Sequence, residues 1–249
     1  MIKAFYSGVA GSKSYQTSLN VTANNIANVN TAGYQSQQTN FADLVYTGIT
    51  PTVEGGPAIA SGNGTKAASV TTNLKTGAFT PTGRRYDYMI EGNGYFAVLD
   101  PGGNTYYTKN GNFYLDSTGA YLLTANGEQV LNAALSPLNL SVDRAKTDYT
   151  DMAETENMLT QAELPGVFTF INPAALTRDG NGRLSATGAS GEAVADPNAK
   201  VISGALEGSN VDIARELTDL LSAQRGFELS AKVIQTADEL ENIANNLRS

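Results

Sequence analysis

"YDYMIEGNGYFAVL", residues 86–99, supports two readings with opposite consequences. Gly92-Asn93-Gly94-Tyr95-Phe96-Ala97 fits G-x-G-x-x-A, the spacing that cradles a dinucleotide pyrophosphate when a helix follows. Here the glycines lead into "YFAVLD", a strand-like stretch, and the chain turns again at Pro101-Gly102-Gly103. Without a helix there is no dipole to hold a phosphate. The glycines are therefore read as a structural hairpin turn, and the region around them as β structure.

Working outward, the same texture continues. "NTYYTKNGNFYLD" and "AYLLTANGEQVL" alternate, and Asn-Gly and Ser-Thr-Gly turn signals separate the runs. Strands at this spacing, with no amphipathic helix between them, predict an antiparallel β domain over 77–205. Before it, "TGITPTVEGGPAIASGNGTK" is rich in Gly, Thr and Pro, and 41–76 reads as an extended linker.

The two ends read as helices. In the N-terminal segment, 1–40, apolar Ile2, Phe5, Val9, Leu19, Ala23 and Ile26 fit a helical face, with a stop expected at Thr31-Ala32-Gly33. In the C-terminal segment, 206–249, Asn210 to Leu247 contains no Pro and one Gly, Gly226. Ser209 or Asn210 is the expected cap, with Asp212 in the first turn. Leu217, Leu220, Leu221, Phe227, Val233, Ile234, Leu240, Ile243 and Leu247 recur every three or four residues along a helix of roughly 55 Å. The fold class is α+β.

Composition narrows the chemistry. The chain has 249 residues, no His and no Cys. That removes the commonest general base, the commonest metal ligand and any thiol nucleophile. Sixteen basic residues scattered among 24 acidic ones give a net charge of -8, which argues against a nucleic-acid partner. No Sec-type signal is visible, and no apolar run is long enough for direct membrane insertion. These signals alone suggest a cytosolic protein.

The remaining candidate motifs are weak. "RDGNGRL", 178–184, has too few acids for a calcium loop and reads as a hairpin. Glu91, Asp100 and Asp116 could supply a glycosidase-like pair, but carboxylates beside hairpin turns are commonly just solvated. Asn20, Asn24, Asn25, Asn28 and Asn30 crowd a helix end. They form either a frayed, solvated terminus or a packed polar face whose amides hydrogen-bond to neighbouring chains and fix register.

Three longer stretches then carry a resemblance. "SLNVTANNIANVNTAGYQ" (18–35), residues 86–131 and "LEGSNVDIARELTDLLSAQRGFELSAKVIQTADEL" (206–240) together resemble the bacterial flagellar axial proteins of the rod and hook. "FINPAALTRDGNGRLSATGASGEAV" and "QTADEL" are more similar to distal than to proximal rod members. Tyr95 stands where the family often has Phe, and Gly226-Phe227 where an Ala- or Ser-Tyr pair is usual.

The resemblance implies a structural subunit, exported through the flagellar type III apparatus without a cleaved signal peptide. It implies self-assembly into a hollow helical drive shaft in the basal body, between motor and hook. The terminal helices would pair as a coiled coil. Partners would be copies of the same chain, other rod and hook proteins, and the export apparatus, with no cofactor, metal or catalytic residue. The assembly interface would comprise Leu19, Asn24, Asn25, Ile26, Asn28, Asn30, Gly33 and Tyr34 near one end. Near the other it would comprise Asn210, Val211, Leu217, Leu221, Gln224, Arg225, Phe227, Ile234 and Leu240. The alternatives are an exported peptidoglycan-active hydrolase and a secreted binding module.

Overall fold

The structure, a computed structural model, describes residues 2–49, 59–140 and 164–247. Residues 50–58 of the expected linker and 141–163 of the expected β domain lie outside the described residues. Two helices flank the strands: α1 (Ile2–Ala27) and α2 (Ile213–Asn246). In chain order the strands are β1 (Gln37–Asp43), β2 (Thr47–Ile49), β3 (Ile59–Ser61), β4 (Thr65–Thr72), β5 (Phe79–Pro81), β6 (Tyr88–Glu91) and β7 (Tyr95–Leu99). They continue as β8 (Thr105–Thr108), β9 (Tyr114–Leu115), β10 (Leu122–Leu123), β11 (Gln129–Val130) and β12 (Val167–Thr169). The last are β13 (Thr177–Gly180), β14 (Arg183–Ser185), β15 (Val194–Ala195), β16 (Lys200–Ser203) and β17 (Ala205–Glu207).

The chain divides into two units. A helical unit holds residues 1–27, 36–73 and 211–249, and a β unit holds 28–35 and 74–210. The fold is α+β with antiparallel strand pairing throughout, as the turn and alternation signals imply.

In the β unit, nine strands form one sheet built around β7, which pairs with β8, β11 and β12. Successive side chains of a strand point to opposite faces. Phe96 and Val98 enter a cluster with Tyr88, Ile90, Phe113, Leu122 and Val167. Tyr95 and Ala97 enter a second cluster with Tyr107, Leu131, Phe168 and Phe170. β7 is thus buried on both faces, which explains its near-continuous apolar run. Burial in the first cluster pushes the Tyr88 phenol up to about 12.

The Gly92-Asn93-Gly94 turn is not a hairpin. It joins β6, which pairs with β16, to β7 in the large sheet. Gly94 is required because any Cβ there would meet Val167 at 2.5 Å. "RDGNGRL" does close a hairpin, β13–β14, with Asn181 and Gly182 both at positive φ.

In the helical unit, the segment expected as a linker carries paired strands. β1 and β4 form an antiparallel ribbon from Gln37↔Thr72 to Asp43↔Thr65, with a register shift at Asn40/Phe41. The period-2 signal is faint here because Thr, Gln, Ser and Asn fill both faces.

Helix boundaries also differ from expectation. α1 ends at Ala27, and Gly33, at φ +68°, serves the β unit instead of stopping the helix. Asp212 is itself the cap of α2, its Oδ1 accepting from the backbone N–H of Ala214 (3.0 Å) and Arg215 (3.3 Å). Asn210 is spent elsewhere, donating to the carbonyls of Tyr34 and Lys75. Replacing Asp212 by Ala should cost the helical unit about 1 kcal/mol. The expected sign is a lower melting midpoint for the helical signal, with the β unit's transition unmoved. An unchanged helical midpoint would mean that other groups cap α2.

Candidate assembly interface

α1 and α2 pack antiparallel: Gly8 lies against Ile234 and Ser230, Tyr15 against Gly226, and Asn25 against Glu216. The buried positions of α1 are Gly8, Gly11, Ser14, Thr22 and Asn25, all small or polar. The inward row of α2 runs Glu216, Leu220, Ala223, Gly226, Ser230, Ile234 and Ala237, at spacings of three or four. Small residues allow the backbones to approach closely: a Cβ at Gly8 would lie 2.9 Å from Ile234 Cγ1. Gly226 makes room for the Tyr15 ring, which a Cβ would meet at 2.5 Å, and that ring packs on Phe41. The departure from the Ala- or Ser-Tyr pair therefore has a packing reason.

Apart from Leu220 and Ile234, the large apolar residues of α2 lie outside that row. Leu229, Val233, Leu240, Ile243 and Leu247 are exposed, and with Thr236 they recur at alternating spacings of four and three. That is a heptad stripe on a helix whose other heptad row already faces α1. A cleft of about 360 Å³, lined by Ser7, Gly8, Gly11, Tyr15, Gly226 and Leu229 among others, lies at one end of the stripe. Leu217 and Leu221 form a separate exposed pair one turn apart near the start of α2.

The residues expected at an interface thus fall into distinct places. Asn25 is 1% exposed and bonds within its own chain, so it has no surface to offer another copy. Ile234 belongs to the inward row, with Leu19 and Ile26 half-buried on α1 and Val211 half-buried just before α2. Leu217, Leu221, Gln224, Arg225, Phe227 and Leu240 are exposed on α2, and Asn24 is exposed on α1.

Asn28, Asn30, Gly33, Tyr34 and Asn210 belong to the β unit. There the 28–35 segment is held by bonds that include three at its main chain. Gly33 N–H donates to Glu207 O (2.8 Å), Asn210 N–H to Tyr34 O (3.2 Å), and Arg178 Nη2 to Gln35 O (2.8 Å). Burial holds the Arg178 guanidinium below its ordinary value. Gly33 abuts the main chain of Lys109 and Asn110, which any Cβ would meet at 2.6 Å.

Beneath that segment lies a buried ion pair that sequence reading missed. Lys109 Nζ sits 2.8 Å from Glu207 Oε2, both side chains at most 4% exposed. Glu207 Oε1 also accepts from Gly77 N–H, and Lys109 Nζ donates to Gly92 O. The loop that matches a dinucleotide fingerprint therefore turns a carbonyl toward an ammonium, the wrong polarity for a phosphate.

The carboxylates considered for catalysis have separate partners: Glu91 lies 3.9 Å from Lys200, and Asp100 lies 3.6 Å from Arg183. Asp116 accepts from Thr118 Oγ1 and Ser117 N–H, bonds that hold its carboxyl below the ordinary range. Among the described residues, no cluster of His, Cys, Asp and Glu could hold a metal ion. No described helix is long and apolar enough to cross a membrane.

Comparison with known proteins places matches on both units. Residues 5–35 match the family described as "Flagella basal body rod protein", and 202–247 that described as "Flagellar basal body rod FlgEFG protein C-terminal". Residues 89–153 match "Flagellar hook protein FlgE/F/G D1 domain". The chain is 35% identical to the flagellar basal-body rod protein FlgG of Bacillus subtilis, over 100% of both chains. It is 32% identical to FlgG of Borreliella burgdorferi, over 100% of this chain and 99% of the relative. It is also 39% identical to the hook protein FlgE of that organism, over 45% of this chain and 26% of the relative.

Proposed function

This chain belongs to the family of flagellar basal-body rod proteins, most like the distal rod protein FlgG, and from that premise we propose how it acts. It is a structural subunit of the rod, and its work is self-assembly, with no catalytic step. The observation that supports this is the apolar stripe Leu229–Val233–Leu240–Ile243–Leu247, left open on a helix already paired along another row. The described residues of the chain leave it exposed. A head-to-tail contact whose rotation does not close covers it repeatedly and yields a helical filament.

The remaining features fit the same role. The β unit is self-sufficient in its two apolar clusters. Both helices that carry assembly surface come from the chain ends, which suits passage through a narrow export channel before folding. Neighbours of similar build, other rod and hook proteins, would meet the ends of the filament through the same helices. The route out of the cell would be the flagellar export apparatus, with no cleaved signal.

The test is direct. Purified chain, concentrated and imaged by cryo-electron microscopy, should form hollow tubes, and a tagged copy should co-purify with isolated basal bodies. A chain that stays monomeric at all concentrations and is absent from basal bodies would sink the proposal.

A further inference from the structure

Asn25 is the most completely engaged side chain at the start of the ribbon. Its Nδ2 donates to Gln37 O (2.7 Å) and to Glu216 Oε1 (3.0 Å), and its Oδ1 accepts from Gln37 N–H (2.9 Å). One carboxamide thus pairs with a main-chain peptide as a strand would, and reaches the first turn of α2 as well. It joins the last turn of α1, the start of β1 and the start of α2, all within the helical unit.

We propose that Asn25 is a positioning residue that sets the register of α2 against α1, and through it the height at which the Leu229–Leu247 stripe is presented to another copy. The rest of the seam explains why a register device is needed. Gly8, Gly11, Ser230, Ala223 and Ala237 interlock only weakly, because small residues make shallow knobs, and the aromatic knob of the seam, Tyr15 over Gly226, lies several turns of α1 before Asn25. A slip of one turn moves a helix by about 5.4 Å. Such a slip would take Glu216 away from Asn25 and Gly226 away from Tyr15, so the register is held at these two places, with Asn25 the polar one. Only Asn fits this role: Asp lacks the two donors, and Gln is one methylene too long for the pairing with Gln37. The clause about the stripe rests on the assembly reading above. The clause about register does not.

The chain has no Cys, so an engineered pair can act as a ruler. A Cβ built at Gly11 lies 3.7 Å from Ser230 Cβ, close to the separation of about 3.8 Å that a disulfide spans. Gly11→Cys is combined in turn with Ser230→Cys, Phe227→Cys or Ile234→Cys, and oxidised in the full-length chain. With Asn25 present, the 11–230 pair should dominate. In Asn25→Ala or Glu216→Ala, that preference should fall about tenfold, in line with an unmade buried hydrogen-bond set, and the displaced pairs should gain. Glu216→Gln keeps the acceptor and should restore it. An equal fall at all three pairs would show simple destabilisation and overturn the proposal, as would an unchanged preference in Asn25→Ala. The critical concentration for polymerisation of Asn25→Ala, without engineered Cys, tests the second clause: register loss with unchanged assembly would overturn that clause alone.

Discussion

Glu207→Ala should lower the stability of the β unit by about 3–5 kcal/mol, the usual cost of stripping one partner from a buried ion pair. The Lys109 ammonium would remain buried with only Gly92 O as an acceptor, and Gly77 N–H would lose its partner. The loss should extend to the docked 28–35 segment, because Glu207 O also accepts from Gly33. Denaturant unfolding followed by circular dichroism, with hydrogen exchange at residues 28–35, would read both effects. The double change Lys109→Met, Glu207→Met should recover much of the loss, since it removes the stranded charge. A single Glu207→Ala variant within 1 kcal/mol of the parent would mean that water or a main-chain group neutralises Lys109.

Leu240→Asp should leave the isolated chain almost untouched and abolish its assembly. Leu240 is 53% exposed in the single chain, and substitutions at such positions usually move stability by less than about 0.5 kcal/mol. In a filament that buries the stripe, the same carboxylate would be desolvated at every subunit, at a cost of about 3–4 kcal/mol each after relaxation. That penalty raises the critical concentration by a factor on the order of 10²–10³. Sedimentation of the variant against the parent gives the number, and Leu240→Met should assemble normally. Polymerisation of Leu240→Asp at the parent's concentration would show that the stripe faces solvent in the filament.

The β unit was legible because its signals are local. Turn residues and two-residue alternation sit side by side in the chain, and the pairs β7–β8 and β13–β14 follow from them. The contact between Lys109 and Glu207 was not legible: 98 residues separate them, and nothing near either position marks it as paired. The GNG turn leads into a strand, as its sequence implies, but it does not close a hairpin, because a glycine turn specifies a reversal and not which strand pairs with which.

Both terminal helices are legible in the sequence, but which face of each is inward is not. A count of apolar positions on α2 merges two rows, and the row that faces α1 is dominated by residues such as Ala223, Ser230 and Ala237 that such a count ignores. The same merging hides Leu229 and groups Ile234 with Leu217, Leu221 and Leu240 as interface residues. Separating the four-three spacing of 229, 233, 236, 240, 243 and 247 from that of the inward row would have found the stripe. The Asn-rich end left two readings open, and Asn25 settles for neither. It is packed, but against its own chain.

The contrast between the two rows of α2 also has a thermal consequence. The seam with α1 is made largely of Gly, Ala, Ser, Thr and Asn, so closing it removes little hydrocarbon from water and carries little change in heat capacity. The outer stripe is Leu, Val and Ile, and its burial would carry most of the heat-capacity change of assembly. Cooling weakens hydrocarbon burial far more than it weakens hydrogen bonds between small polar groups. A filament held by such stripes would therefore loosen in the cold by shedding folded subunits, with each helix pair still closed.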